Sequence, residues 1–184
     1  MNRSQVRDEW LMSQVAQGRR DCLETLLRRH ASSLLTFIER MIGDHHRSEE
    51  LFQEVFLAVW INRRQYEYPR PFRCWLYAIA ANKCREAGRG RRTMTFALDE
   101  ESIALAASGP SPEDTLVATE TAALVATAVA RLPLQQRTVV VLRIWNDMAY
   151  ADIAQAVGCT EATVRSHMHH GLAALRKYLE PRLR

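Results

Sequence analysis

The chain has 184 residues, of which 47% are hydrophobic and 25% charged, and its formal net charge is +4. This length suits two small domains of under about 100 residues each, and the apolar content excludes a disordered polypeptide. No run of about 18 uncharged apolar residues occurs, and the basic N-terminus MNRSQVRDEW has no apolar segment behind it, so we expect neither secretion nor membrane insertion. The protein is expected to be cytoplasmic.

Four cysteines, at positions 22, 74, 84 and 159, lie far apart and form no C-x-x-C pair. This spacing favours reduced thiols over a disulfide framework or a zinc site. His167, His169 and His170 are helical neighbours at one- and two-residue spacing and do not face a common ligand position, and no carboxylate or cysteine completes a ligand set with them. His45-His46 is no better a candidate. We therefore predict no metal, no cofactor and no catalytic residue.

The segment up to about residue 92 is predicted to be helical throughout. In its second helix, apolar residues recur at three- and four-residue steps, and Gly43-Asp44 provides a stop signal. The members of this buried stripe are Leu23, Leu26, Leu27, Leu34, Phe37, Ile38 and Met41. Ser48 is expected to cap a third helix, with two glutamates in its first turn.

Pro69-Arg70-Pro71 interrupts the helical pattern. A fourth helix is predicted from about Phe72 to the glycines of Gly88-Arg89-Gly90. Five basic residues and one acid lie between positions 83 and 92, a cluster that fits either a solvated helix end or a nucleic-acid contact.

Positions 93–110 lose the periodicity and gain Ser, Ala, Gly and Pro, which predicts a flexible linker. Ser111-Pro112-Glu113-Asp114 then has the signature of a helix start, with Ser as the cap, Pro in the first helical position and acids in the first turn. A second helical domain is expected to follow.

The stretch YADIAQAVGCTEATVRSHMHHGLAALRKYL predicts a helix-turn-helix. Two helices meet at Gly158, which tolerates a left-handed turn, and Thr160 can cap the second helix. In the first helix we expect Ile153, Ala154 and Val157 to pack inward. An ordinary helical hairpin is the alternative interpretation.

The second helix of this motif has an apolar stripe and a polar start. The stripe is expected to be Val164, Met168, Leu172, Leu175 and Leu179. The polar start fits the major groove, where Arg can donate two hydrogen bonds to guanine and Ser, Thr or His can reach bases or phosphates. The candidate DNA-reading residues are Thr163, Arg165, Ser166, His167, His169 and His170.

Three segments, in the order of one known family, resemble the extracytoplasmic-function sigma factors. EELFQEVFLAVW (49–60) resembles the family's polymerase-binding helix, FRCWLYAIAANKCREAGRGRR (72–92) its minus-ten reader, and the segment 132–175 its minus-thirty-five reader. The resemblance implies an all-α fold of two small helical domains, 1–92 and 111–184, joined by the flexible linker 93–110. The C-terminal domain is the helix-turn-helix.

The resemblance also implies site residues in the N-terminal domain. Docking on the clamp helices of the polymerase's beta-prime subunit is assigned to Glu50, Leu51, Gln53, Glu54 and Phe56, with core packing an equal alternative for the leucine and the phenylalanine. Minus-ten recognition is assigned to Tyr66, Tyr68, Phe72, Asn82, Lys83, Glu86, Arg89 and Arg91. The three aromatic residues can stack on an unpaired base, or at least one of them faces the core.

The sequence departs from the family pattern in the fourth helix and in the C-terminal helix. Glu86 stands where Asp or Asn is more usual, and Ala87-Gly88 replaces a bulkier pair before the basic run. His167, His169 and His170 include positions where many relatives have Arg. Since neutral histidine attracts phosphate weakly, we expect weaker salt-dependent DNA affinity or a pH-sensitive component.

The resemblance predicts a sigma factor, which binds the bacterial RNA polymerase core through its beta-prime and beta subunits and directs promoter-specific initiation. Promoter DNA and an anti-sigma factor are the other expected partners, and no enzymatic activity is expected. The alternative is a LuxR-type helix-turn-helix regulator that acts without replacing sigma, since that family has a similar TVRSH helix start. The segments FQEVFLAVW and WLYAIAANK distinguish the two interpretations, because LuxR-type regulators do not require them. A helical metal-dependent hydrolase is not supported, because the sequence lacks a ligand set such as H-E-x-x-H.

Overall fold

A computed structural model describes residues 6–95 and 114–183, with side chains described over 6–89 and 120–183. Throughout these ranges the protein is all-α, which confirms the predicted fold class, and a 3-10 turn at Arg63–Gln65 is the remaining helical piece. The helices are α1 Asp8–Ala16, α2 Arg20–Ile42, α3 His45–Ile61, α4 Phe72–Thr95, α5 Asp114–Ala130, α6 Leu134–Ile144, α7 Tyr150–Val157 and α8 Glu161–Leu179.

The boundary between α2 and α3 is set by two adjacent residues. Gly43 adopts the left-handed conformation at φ 72° and its N–H donates to the Glu39 carbonyl at 2.7 Å, which ends α2 as predicted. The Asp44 carboxylate then accepts from the Arg47 backbone N–H at 2.9 Å and caps α3. The prediction that Ser48 is the cap was wrong, because Asp44 offers the same chemistry one turn earlier.

Helix α4 begins at Phe72, as predicted, but continues to Thr95 instead of ending at the glycines. A glycine inside a helix costs only about 1 kcal/mol relative to alanine, and Gly88 keeps a helical backbone. The predicted linker therefore overlaps α4 at 93–95, and its remainder, with the predicted helix start at 111–113, lies outside the described residues. The division into 1–92, 93–110 and 111–184 stays a prediction.

The N-terminal half of α4 is the centre of the core that α1, α2 and α3 enclose. Phe72 and Tyr77 are fully buried. Phe72 meets the His30 ring of α2 edge-on at 5.3 Å between centroids, and Tyr77 meets Phe37 of α2 in the same way at 5.3 Å. Edge-to-face contacts of this kind add about 0.5–1.5 kcal/mol to the burial of each pair. Aromatic packing thus fixes α4 against α2.

Helix α1 ties α2 to the start of α4 through two carboxylates. The Asp8 carboxylate accepts from Arg29 at 2.5 Å and lies 2.7 Å from His30 Nε2. The Glu9 carboxylate accepts from the Phe72 backbone N–H at 3.4 Å, where the positive end of the α4 dipole favours an anion. The first carboxylate therefore holds α1 on α2, and the second holds α1 at the start of α4.

The C-terminal helices form the predicted helix-turn-helix. Gly158 adopts the left-handed conformation at φ 72° and ends α7, and the Thr160 hydroxyl caps α8 by accepting from the Thr163 N–H at 3.1 Å. Ile153 is buried as predicted. The other fully inward residue of α7 is Ala156, while Ala154 and Val157, predicted to fill that role, are half-buried against the core.

The inward face of α8 differs from the prediction at one position. Val164, Met168 and Leu175 are buried as predicted, but Leu172 is 43% exposed and Gly171 takes the inward position. A Cβ built on Gly171 would lie 2.7 Å from a methyl carbon of the Val140 side chain on α6. The two helices cross so closely that only glycine fits at this position. The hydrophobicity pattern of the sequence does not mark this residue as buried, because glycine has no apolar side chain.

Replacing Gly171 with alanine should therefore destabilise the protein. The clash involves a buried β-branched valine whose side chain is stiff, so we expect a loss of about 1–2 kcal/mol despite the better helix propensity of alanine. Gly88→Ala is the matched control, because no atom lies within 4 Å of the added Cβ, and it should stabilise by about 0.5–1 kcal/mol. Chemical denaturation of the two variants measures both changes, and equal stabilisation would contradict the close crossing.

A second prediction concerns pH. Burial alone would raise the pKa of Asp8, but hydrogen bonds from His30 and Arg29, with the charges of both, outweigh it and lower the pKa below its ordinary value of 3.8. A carboxyl with a lowered folded-state pKa stabilises the protein above its unfolded-state pKa, and this contribution is lost as the pH falls through the folded-state pKa.

Asp8→Asn should thus lower the unfolding free energy at neutral pH by about 1–3 kcal/mol, with the difference from the unmutated protein narrowing below about pH 4. Asp21→Asn removes an exposed carboxylate that is paired with Arg19, and it should have little effect because solvent screens that pair. A constant difference between Asp8→Asn and the unmutated protein from pH 7 down to about pH 3 would contradict the role of the charge.

Candidate polymerase and nucleic-acid interfaces

The predicted docking helix α3 has a buried face and an exposed face. Leu51 and Phe56 are 1% and 6% exposed and belong to the core, so their assignment to polymerase docking is corrected. They are buried because α3 packs against both α2 and α4, and these two helices together cover its wide apolar face. The outward face has the other three predicted residues, Glu50, Gln53 and Glu54.

Two apolar side chains on this face were missed by the sequence interpretation. Leu57 and Ile61 are 57% and 63% exposed. They follow Gln53 by four and eight residues, so the three side chains share one face of α3. Their spacing from Gln53, a predicted site residue, was the feature of the sequence that could have identified them. Exposed leucine and isoleucine beside glutamine and glutamate give α3 the mixed composition of a binding surface.

An ion-pair network joins the docking helix to α4. Glu54 lies 3.2 Å from Arg47 and 3.4 Å from Lys83 of α4, and Arg47 also pairs with Glu50 at 2.7 Å. Lys83 lies 3.7 Å from Glu86 on its own helix. The network brings predicted polymerase-binding and predicted minus-ten residues together on one surface.

Of the three aromatic residues predicted to stack on an unpaired base, which lie in the segment 65–73, the structure exposes one. Phe72 is fully buried and Tyr66 is 6% exposed, with its hydroxyl donating to the Arg70 carbonyl. Burial raises the pKa of Tyr66. These two rings pack on Trp75 and hold the loop in place, so their assignment as base-stacking residues is corrected. Tyr68 is 61% exposed and stays the candidate for a base contact.

The second half of α4 presents the polar minus-ten candidates. Asn82, Glu86 and Arg89 are exposed, and their spacing of four and three residues puts them on one face. Asn82 accepts a hydrogen bond from Arg85 at 2.6 Å. Arg91 lies in α4, but its side chain is outside the described residues.

The start of α8 presents the minus-thirty-five candidates. Thr163, Arg165, Ser166, His169 and His170 are exposed, and His167 is half-exposed. The Arg165 guanidinium is hydrogen-bonded to the Glu161 carboxylate and lies 4.6 Å from the centre of the Tyr150 ring on α7. The two neighbours hold Arg165 in one orientation at the protein surface, which reduces the entropy that it loses on binding.

The part of the chain that the structure describes has neither a metal-ligand cluster nor a membrane-spanning helix. There, no three His, Cys, Asp or Glu side chains come close enough together to hold a metal ion. The helices described are also too short or too polar to cross a lipid bilayer. No disulfide joins the four cysteines, and burial raises the pKa of Cys74 to about 11 and of Cys84 to about 12.

The fold and these surfaces define a class: an all-α protein with a C-terminal helix-turn-helix and polar surfaces on α3 and α4. Two family models match the chain, "Sigma-70 region 2" over residues 26–93 and "Sigma-70, region 4" over residues 122–175. The RNA polymerase sigma factor CarQ of Myxococcus xanthus is 31% identical over 169 residues, covering 91% of this chain and 95% of CarQ. The ECF RNA polymerase sigma factor SigW of Bacillus subtilis is 28% identical over 177 residues, covering 91% and 94%.

Solved structures agree on the fold. CnrH in complex with the cytosolic domain of CnrY superposes with a TM-score of 0.74 at 24% identity, covering 95% of this chain and 97% of that one. The sigma factor RpoE of Bartonella quintana, in complex with the anti-sigma factor NepR, gives a TM-score of 0.70 at 21% identity, covering 85% and 96%.

The chain belongs to the extracytoplasmic-function sigma factors of the sigma-70 family. It binds core RNA polymerase and directs promoter-specific initiation, as the resemblance implied. The LuxR-type alternative receives no support, since region 2 matches the N-terminal segment that such regulators do not require.

Proposed function

We propose that the outward face of α3 docks on core polymerase, that Tyr68 and the second half of α4 read the minus-ten element, and that the start of α8 reads the minus-thirty-five element. The observation that carries this proposal is exposure: the predicted binding residues that the structure leaves exposed are Tyr68 and residues on α3, on α4 and at the start of α8. Promoter opening then needs binding energy alone, because pocket binding offsets the few kcal/mol of unstacking each base. No covalent step is catalysed.

The α3 surface consists of Glu50, Gln53 and Glu54 with Leu57 and Ile61. Truncation of a residue at the centre of an interface typically costs more than about 1 kcal/mol. The buried neighbours Leu51 and Phe56 support this surface from the core, so their substitution acts on stability first. The partner proposed for it is the clamp-helix segment of the beta-prime subunit.

The cellular setting and regulation follow from the same family membership. A protein that works on RNA polymerase acts in the cytoplasm, where we place this one. CnrH and the Bartonella RpoE were solved with proteins that bind them, CnrY and the anti-sigma factor NepR. We extend that class of partner to this chain: an anti-sigma factor controls its access to polymerase.

The proposed domain division is 1–92, 93–110 and 111–184.

The docking surface is tested by Gln53→Ala and Leu57→Ala. Each variant should bind sigma-free bacterial core polymerase about 5- to 30-fold more weakly than the unmutated protein, as expected for a central contact worth about 1–2 kcal/mol. Gln155→Ala on α7 and Leu183→Ala, which change the same residue types at exposed positions elsewhere, should bind normally. Binding curves by fluorescence anisotropy measure the affinities, and core affinities that match the controls would rule out this face.

The minus-thirty-five surface is tested by Arg165→Lys and Arg165→Ala. If Arg165 donates two hydrogen bonds to a guanine, lysine keeps the charge but cannot donate both bonds with the geometry of the guanidinium. Discrimination at one base pair should therefore fall by about 1–3 kcal/mol in both variants. The assay is competition between promoter fragments that differ at single base pairs, with polymerase holoenzyme. Arg28→Ala, which removes an exposed arginine of α2, is the control. Unchanged discrimination in both Arg165 variants would assign the base contact elsewhere.

A further inference from the structure

Helix α8 has one acidic residue, and it lies at the end that we propose for base reading. Glu161 is the first residue of the helix, directly after the Thr160 cap, and no other carboxylate occurs in α8 as far as Leu179. The side chain of Glu161 is 44% exposed. The helix dipole favours an acid in this first turn, but DNA phosphates repel one there. A glutamate at the reading end of the helix therefore has to be offset by a favourable contact.

The favourable contact within the protein is an ion pair with Arg165. The Glu161 carboxylate accepts a hydrogen bond from the Arg165 guanidinium, four residues further along α8. Side chains at this spacing share one face of a helix, so both groups lie on the exposed face that we propose enters the major groove. The Arg165 guanidinium also lies 4.6 Å from the centre of the Tyr150 ring on α7. Arg165 is thus held by two neighbours, and Tyr150 still supports it when Glu161 is changed.

The ion pair uses only one of the two carboxylate oxygens. Glu161 Oε1 accepts from Arg165, whereas no described residue donates a hydrogen bond to Oε2. An ionised carboxylate only accepts hydrogen bonds. In the major groove, the amino groups of cytosine and adenine are the donors, and that of adenine lies beside the N7 acceptor, which disfavours a carboxylate. The free oxygen therefore fits N4 of a cytosine best.

Glu161 and Arg165 lie close enough together to read neighbouring base pairs. Four residues of an α-helix span about 6 Å along its axis, and successive base pairs of B-form DNA are about 3.4 Å apart. The carboxylate thus reaches a base within about two base pairs of the one that Arg165 reaches. Because the two charges offset each other, the pair can leave bulk water at a lower cost than either group alone.

We propose that Glu161 is a specificity-determining residue of the minus-thirty-five surface, and that its free carboxylate oxygen accepts a hydrogen bond from N4 of a cytosine. This inference rests on the proposed function of the start of α8 as the minus-thirty-five reader. Guanine and thymine present acceptors at the same place in the groove, and either base leaves the carboxylate without a donor. Glu161 therefore selects cytosine mainly through the cost of the other bases.

The test measures base preference across the minus-thirty-five element with polymerase holoenzyme that contains the full-length chain. Promoter fragments that differ at single base pairs compete for the unmutated protein, Glu161→Ala and Glu161→Gln. The unmutated protein should prefer cytosine at one position by about 5- to 100-fold, the range for one specific contact to a base. Glu161→Ala should lose this preference. Glu161→Gln should shift it to adenine, because an amide accepts from N6 and donates to N7.

Glu24→Gln is the matched control. Glu24 and Arg28 form an exposed ion pair on α2 with the same residue types and the same four-residue spacing, so this change should leave every base preference as it was. Circular dichroism checks that all variants keep their helix content.

Three results would overturn the assignment of Glu161. In the first, both Glu161 variants keep the base preferences of the unmutated protein. In the second, they change preference only at the base pair that the Arg165 variants affect, so that Glu161 acts by holding the arginine. In the third, the base preferred at the affected position is not cytosine.

The proposed function and this inference fail in different ways. If Arg165→Ala weakens base discrimination while the assignment of Glu161 is overturned, α8 is still the minus-thirty-five reader. If no variant of Glu161 or Arg165 changes any base preference, the proposed function of this surface fails, and the inference fails with it.

Discussion

Burial of the aromatic first half of α4 is the constraint on which the other elements depend. Phe72 and Tyr77 are fully enclosed, and each is met by a ring from α2. Helix α1 reaches the same place from outside, where the Glu9 carboxylate accepts from the first N–H of α4. Helix α7 packs on α4 from the other half of the chain. The packing of the first half of α4 also sets the position of Asn82 and Glu86, which are exposed further along the same helix.

The same division into a buried and an exposed face recurs in α3 and α8, and these exposed faces have the residues that we propose for binding. In α3, Leu51 and Phe56 pack inward while Gln53 and Leu57 face out. In α8, glycine at 171 lets the helix approach α6 closely. Its start is thereby held rigid, with Arg165 braced between Glu161 and Tyr150. Binding groups on packed helices hold their geometry better than groups on loops, which suits recognition by shape and hydrogen bonding.

Features set by a few adjacent residues could be predicted from the sequence. The stop at Gly43, the start of α4 at Phe72 and the Thr160 cap behind Gly158 all depend on local backbone chemistry, and all three were correct. Gly88 stays helical and was misread as a stop, because a glycine inside a helix costs only about 1 kcal/mol and does not by itself end the helix.

The wrong site assignments have a different cause. Tyr66 and Phe72 have the residue types of base-stacking groups, but tertiary packing on Trp75 buries them. Leu57 and Ile61 are core residues by type but are exposed on α3, where we propose that polymerase covers them. Sequence patterns gave the helices and the family, while the exposed faces required the fold.

Reconstituted transcription tests the central claim most directly. Purified protein is added to sigma-free bacterial core polymerase on a pool of genomic fragments from the source organism, and the transcript starts are sequenced. The account predicts starts that share two sequence motifs at a fixed spacing, and their loss when protein or core is omitted. Absence of initiation by the folded protein, together with sequence-specific DNA binding without polymerase, would contradict it.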